Sequence, residues 1–262
     1  MACTERQGYV GDFIAVGARD TRRRSVARYA ASRTESRFCY GDPQWHHSGF
    51  RFRVQQLKDQ ARGIAVADGS TSIEDLASMK EAGIRGLRFV ETRLADQSRI
   101  PGTIPLEQLF ERLALKLAQL DMHAEIWAPL ATVLSQWSRI EACRIPIVLD
   151  HMGAFDVSLG VEHRDFQRLL DLVSDGKVWI KLAVCRRQFG DASFAKVRPF
   201  HDAFIMAEDR RLVWASDFPF VRYPAWQPEM KDLLGLFRSW INDRGIEQRI
   251  LVENPTTLYW CS

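Results

Sequence analysis

The chain has no paired-cysteine pattern. Its five cysteines, Cys3, Cys39, Cys143, Cys185 and Cys261, are scattered, odd in number and never spaced CxxC. That argues against a disulfide framework or a zinc ribbon and fits a reducing cytoplasm, the location expected on this reading. No run approaches the ~20 apolar residues of a membrane span, and no apolar stretch follows a basic start as in a signal peptide. A soluble chain with no membrane partner is the expectation. No glycine-rich phosphate loop follows an early strand, which weighs against a dinucleotide fold. What remains is ordinary: 262 residues, 46% hydrophobic and 26% charged, enough to build a large folded core.

The formal net charge of +3 is uneven. Residues 18–37 hold seven arginines against Asp20 and Glu35, a local +5, leaving the rest at −2. Without interleaved stacking aromatics this reads as a solvated basic segment, and nucleic acid is not an expected partner. Residues 1–60 form an atypical arginine-rich segment, expected to supply two βα units or to be partly disordered. Residues 61–262 form the barrel body.

From residue 62 the pattern is regular. Apolar runs at 63–67, 84–90, 122–127, 146–149, 178–183 and 212–215 read as strands. Helical patterns follow at 73–82, 105–120, 129–142, 166–173, 194–207 and 230–241, the first with Ser72 as N-cap and Gly83 as its stop. Strands that are apolar throughout, each followed by a helix, mean a parallel sheet covered on both faces. Six such units point to an α/β fold, a TIM (β/α)8 barrel distorted or incomplete at its N-terminal strand. Closing strands are sought at 13–16 and near Phe38 or 50–54. Residues 254–259 read as a capped terminal helix with a structural role.

In such a barrel the chemistry sits at the carboxyl ends of the strands. There the sequence places Asp150-His151, Ser216-Asp217, Glu91 with Arg93, and Arg186-Arg187. His123, Glu125 and Trp127 fall on one face of a strand, and Lys181 lies inside another. A His and an Asp at two strand ends suit acid–base work on water, or metal ligation. Bland readings stand beside these. His151 could be a hydrogen-bonded structural group, Asp217 a turn cap, His123 and Glu125 a buried structural pair, and Lys181 either an ion-pair partner or a reactive amine.

ARGIAVAD (61–68), AGIRGLRF (82–89), PIVLDHMG (146–153), VWIKLA (178–183), RLVWASDFPF (211–220) and RILVENPTTLY (249–259) together resemble the amidohydrolase superfamily. The nearest branch is the 2-pyrone-4,6-dicarboxylate lactonase-like hydrolases, and the likeness covers about residues 38–262. It implies a metal-independent hydrolase of a small carboxylated lactone, with a small anionic substrate and no cofactor. The general base that activates water falls on Asp217, and the His beside the scissile carbonyl on His151. Substrate-gripping arginines fall on Arg88, Arg93 and Arg187. Tyr40 and Trp127 fall on further substrate-binding positions. The superfamily's first-strand His-x-His is missing: His46, His47, His123, His151, His163 and His201 include no such pair. Two alternatives therefore stand beside the lactonase reading. One is a zinc-dependent amidohydrolase or decarboxylase of the same superfamily; the other is a catalytically inactive barrel that still binds a ligand.

Overall fold

The structure, a computed structural model, describes residues 61–261 apart from 219, 221, 222, 224 and 225. The expected strands at 13–16, near Phe38 or at 50–54, and the site residue Tyr40, lie outside the described residues.

Six parallel strands lie in sequence order: β1 (Gly63–Ala65), β2 (Ile84–Val90), β3 (His123–Trp127), β4 (Ile147–Leu149), β5 (Trp179–Leu182) and β6 (Leu212–Trp214). Every neighbouring pair is parallel, with one irregularity between Gly63 and Ile64. Sequential parallel order with a helical return between strands is the barrel topology, and these six strands make its described part.

Side chains alternate across a strand, so each face of the sheet has its own core. The outward face carries Leu87, Phe89, Ala124, Ile126, Ile147, Leu149, Ile180, Leu182 and Leu212, all packed into the large cluster that the helices complete. A second cluster joins Ile64, Val148, Trp179 and Val213 on the inward face with Leu258 and Tyr259. Gly86 belongs to this inner packing. A Cβ there would lie 2.7 Å from the His123 carbonyl oxygen and 2.6 Å from its ring, so no other residue fits without moving β3.

The helices follow the apolar stripes, with instructive breaks. Helix α1 (Ile73–Glu81) starts where expected, the Ser72 hydroxyl accepting from the Asp75 amide at 3.0 Å, and Gly83 beyond it turns with φ +101°. The single helix expected over 105–120 is α2 (Leu106–Gln108), a π-turn (Leu109–Leu113) and α3 (Ala114–Gln119). The one expected over 129–142 is α4 (Leu130–Ser135) and α5 (Trp137–Ala142), broken at Gln136. Helix α6 (Arg164–Ser174) is capped by His163. Helix α7 (Arg198–Glu208) begins four residues later than the apolar pattern, because Phe194 sits at φ +48° and Pro199 marks the first turn. Helix α8 (Met230–Ile241) ends at left-handed Asn242.

The chain finishes through α9 (Arg244–Gln248), a π-turn (Arg249–Glu253) and α10 (Asn254–Tyr259). Asn254 does not cap α10, which has no side-chain cap. Its amide donates instead to the Asp209 and Leu212 carbonyl oxygens, both at 2.7 Å. This ties the last helix to the start of β6 and seats Leu258 and Tyr259 at the entry end of the sheet's inner face.

Candidate active site

Going along the inner face from strand starts to strand ends, apolar packing gives way to charge. Arg88 on β2, Glu125 on β3, Asp150 just past β4 and Lys181 on β5 are between 0% and 6% exposed. The Lys181 ammonium lies 2.5 Å from Glu125 Oε2 and 3.2 Å from Asp150 Oδ1. The Arg88 guanidinium bonds Asp150 Oδ2 through Nη2 and has Nε 3.8 Å from Glu125 Oε1. Four strands thus contribute a closed ring of alternating charge. Lys181 is an ion-pair partner, not an isolated amine. His123 and Glu125 are both buried but pair elsewhere, His123 edge-on against Tyr259 and Glu125 against Lys181.

Burial and the neighbouring Asp150 push the Glu125 carboxyl up to about 7, against the pull of Lys181 and Arg88. Burial would also raise Asp150, but the Arg88 and Lys181 charges beside it hold it below the usual carboxylate range. Burial, with Lys181 and Arg85 nearby, drops His123 to about 3.

Above this ring stand His151 and Asp217. His151 Nε2 lies 3.2 Å from Asp217 Oδ1, and the Arg186 Nε donates to Asp217 Oδ2. The two residues expected to share the chemistry are therefore brought together at the carboxyl ends of β4 and β6. Neither has an ordinary backbone. His151, Met152, Gly153 and Ala154 run at φ +49°, +59°, +78° and +50°, and Asp217 sits at φ +63°. Left-handed non-glycine residues cost ~1–3 kcal/mol each and collect where a site needs them. At Gly153 a Cβ would come within 2.7 Å of Leu169 Cδ2, so any other residue there needs that buried side chain to shift.

The bland reading of Asp217 as a turn cap is taken by its neighbour. Ser216 Oγ accepts from the Phe218 amide at 3.2 Å, leaving the Asp217 carboxylate to His151 and Arg186. Burial lowers the His151 pKa, partly offset by Asp150 and Asp217, so its imidazole favours the neutral form. Its ring meets Trp127 edge-on at 4.9 Å, and Arg88 covers the Trp127 face at 5.4 Å.

The remaining expected residues are placed differently. Arg187 is largely buried, donates to the Phe155 carbonyl at 2.8 Å, and is lowered to about 10 by burial and by Arg186. Arg93 is exposed on the excursion after β2, bridging to Arg99 and donating to the Gln97 carbonyl at 3.4 Å. Arg186 is the guanidinium that reaches the pair. The sequence flagged it only as a strand-end neighbour, because two adjacent arginines cannot be ranked without the turn Val184–Arg186 that aims them. Two contacts brace that turn: the Tyr223 hydroxyl donates to the Cys185 carbonyl at 2.9 Å, and the Arg186 guanidinium lies over the Tyr223 ring at 5.5 Å. Burial pushes the Cys185 thiol up to about 12, which disqualifies it as a nucleophile at neutral pH.

Among the described residues no three His, Cys, Asp or Glu side chains converge on a common point. Asp150 is taken by Arg88 and Lys181, and Asp217 by His151 and Arg186, so these residues do not fit a metal centre. Among the described residues no helix is long and apolar enough to cross a membrane.

The described strands are therefore part of a parallel barrel sheet that carries an Asp–His pair at its strand ends. Residues 7–260 match the amidohydrolase family, and the chain belongs to it; it is an enzyme of the hydrolase class. It is 30% identical over 209 residues to a 4-sulfomuconolactone hydrolase of Rhizobium radiobacter, covering 79% of this chain and 68% of the relative. Against a 2-pyrone-4,6-dicarboxylate hydrolase of Comamonas testosteroni it is 26% identical over 211 residues, 77% of this chain and 67% of the relative. A solved structure of similar fold is a probable 2-pyrone-4,6-dicarboxylic acid hydrolase from Acinetobacter baumannii. It aligns with TM-score 0.67 and 23% identity over 82% of this chain and 78% of that one.

Proposed function

We propose that this protein hydrolyses a small carboxylated lactone in the cytoplasm, with Asp217 as the base that activates water. The observation that carries the reading is the Asp217 carboxylate held between His151 Nε2 at 3.2 Å and the Arg186 guanidinium, at the end of the barrel where such chemistry occurs. The names of the relatives, both hydrolases of acidic lactones, support the substrate class.

Asp217 takes a proton from water as the water oxygen bonds to the lactone carbonyl carbon. The carbonyl oxygen then carries negative charge, which an arginine stabilises together with the His151 Nε2–H, released from Asp217 as that carboxylate takes up the water proton. Collapse breaks the ring C–O bond, and the proton held by Asp217 passes to the departing oxygen. The product keeps the substrate's carboxylates and gains one. Arg88, Arg93 and Arg187 supply positive charge for the substrate's carboxylates, with Arg186 added because it reaches Asp217; planar guanidinium–carboxylate pairing orients as well as binds. Trp127, edge-on to the His151 ring, flanks the lactone ring. No step needs a metal or an organic cofactor.

The test is ring opening of 2-pyrone-4,6-dicarboxylate, other carboxylated lactones and their neutral esters, followed by absorbance. Turnover of the anionic lactones with little of the esters is expected. Tight binding without turnover would instead mark a binding barrel, and indifference to the carboxylates would overturn the substrate class.

A further inference from the structure

We infer that Lys181 is a positioning residue for His151, acting through the closed ring of Arg88, Glu125, Asp150 and Lys181 that underlies the site. The inference rests on the lactonase reading for its kinetic arm but not for its spectroscopic one.

Four observations converge on it. First, Lys181 bridges both carboxylates of the ring, at 2.5 Å to Glu125 and 3.2 Å to Asp150. Second, Asp150 is the residue immediately before His151, and its two oxygens are divided between Lys181 and Arg88. Fixing that carboxylate on both sides fixes the point from which the left-handed run His151–Ala154 departs. Third, the ring grips His151 a second way, because Arg88 lies over Trp127 and Trp127 packs edge-on against the His151 ring. Fourth, the backbone there does not hold itself. Four consecutive positive φ values are unfavourable for His, Met and Ala, so surrounding contacts must determine them.

Charge makes the arrangement exacting. Two cations and two carboxylates this deeply buried are tolerable only as a balanced set, and losing one partner leaves an uncompensated charge beside the turn. The groups facing Lys181 are Glu125 and Asp150, with Arg88 across the ring and His123 and Tyr259 on the entry side. Glu125 shares the burden, since burial has already pushed its carboxyl up to about 7. Lys181 touches none of the proposed reacting atoms. Its influence passes through Asp150 to the aim of His151.

The experiment compares wild type, Lys181→Met and the double variant Lys181→Met/Glu125→Gln. Steady-state kinetics on the carboxylated lactones is read together with the NMR titration of His151. Displacing His151 by a fraction of an ångström should lower kcat about 10–100-fold in Lys181→Met while KM changes less than about threefold. With Lys181 gone the Asp150 charge is less neutralised, so the His151 titration should move up by about half a unit or more. The double variant, lacking both a cation and its carboxylate partner, should recover part of kcat and return the titration toward wild type. If Lys181→Met does not fold, Lys181→Gln, which keeps a polar group between the two carboxylates while removing the charge, carries the same two readouts. Unchanged kcat per folded molecule with an unchanged His151 titration would overturn the inference, as would a loss explained wholly by a smaller folded fraction. A wild type that opens no lactone would sink the lactonase reading alone, and the titration would still decide the role of Lys181.

Discussion

The two ends of the sheet's inner face are made to opposite specifications. At the entry end Ile64, Val148, Trp179 and Val213 pack against Leu258 and Tyr259, with Asn254 bonding two carbonyls to hold the last helix there. At the exit end five residues with positive φ present a histidine and an aspartate, and the turn Val184–Arg186 adds an arginine. The first end gains stability by removing apolar surface from water; the second gives some away in strained backbone and half-buried charge. Between them the Arg88–Glu125–Asp150–Lys181 ring insulates one from the other. One sheet can thus be rigid at its base and chemically exposed at its rim, and substitutions at the two ends should have separable consequences.

The largest effect expected belongs to the base. Trp179→Ala should cost about 3–5 kcal/mol in denaturant unfolding while leaving turnover per folded molecule near wild type. A drop in kcat without loss of stability would break the division. The next belongs to the rim. His151→Gln should reduce kcat about 10²–10³-fold, the range for removing one oxyanion donor, with a small change in unfolding free energy.

Two glycines sharpen the contrast further. Gly153→Ala must accept both φ +78° and a 2.7 Å clash with Leu169, so it should destabilise by about 1–3 kcal/mol and depress turnover by disturbing His151. Gly160→Ala has open space around it but φ +79° and ψ 164°, a region that only glycine adopts readily, so it should destabilise by about 1–3 kcal/mol and leave turnover alone. Equal losses of turnover at both positions would contradict the account of the left-handed run.

The smallest effect is the pH dependence. Burial holds His123 near 3 and lowers His151 and His201, so the unfolded chain binds more protons than the native one below about pH 6.5. Their stabilisation is present above that pH and lost as pH falls, by about 1.4 kcal/mol per pH unit for each histidine between its two values. Glu125 works the other way, since its carboxyl is raised to about 7: its contribution is full below its unfolded value and lost as pH rises through 7. Three histidines outweigh one glutamate, so melting temperature should fall from pH 6.5 toward 4.5. His123→Gln should flatten that fall.

Much of this frame was legible in the sequence, and for a physical reason. A strand covered on both faces is an apolar run, and all six expected runs are strands whose bounds differ by at most two residues. Helix existence was equally readable, because the stripe that packs on the sheet repeats at helical spacing. What pattern could not show was the interruption of 105–120 by a π-turn or of 129–142 at Gln136, since neither removes an apolar position from the stripe. The candidate site was half legible. Asp217 and His151 follow their strands directly, and position along a strand is a sequence property. The choice between Arg186 and Arg187, and the sharing of Lys181 between Glu125 and Asp150, depend on where side chains from separate strands meet. Strand-end position marks such residues as candidates but does not pair them.

The most direct measurement is lactone ring opening by Asp217→Asn beside wild type, at matched folded concentration across pH 6–9. The account predicts a kcat lower by about 10²–10⁴-fold with the substrate still bound, the range for losing a general base. A rate within a few-fold of wild type would contradict it, because water would then be activated by some group other than the carboxylate held between His151 and Arg186.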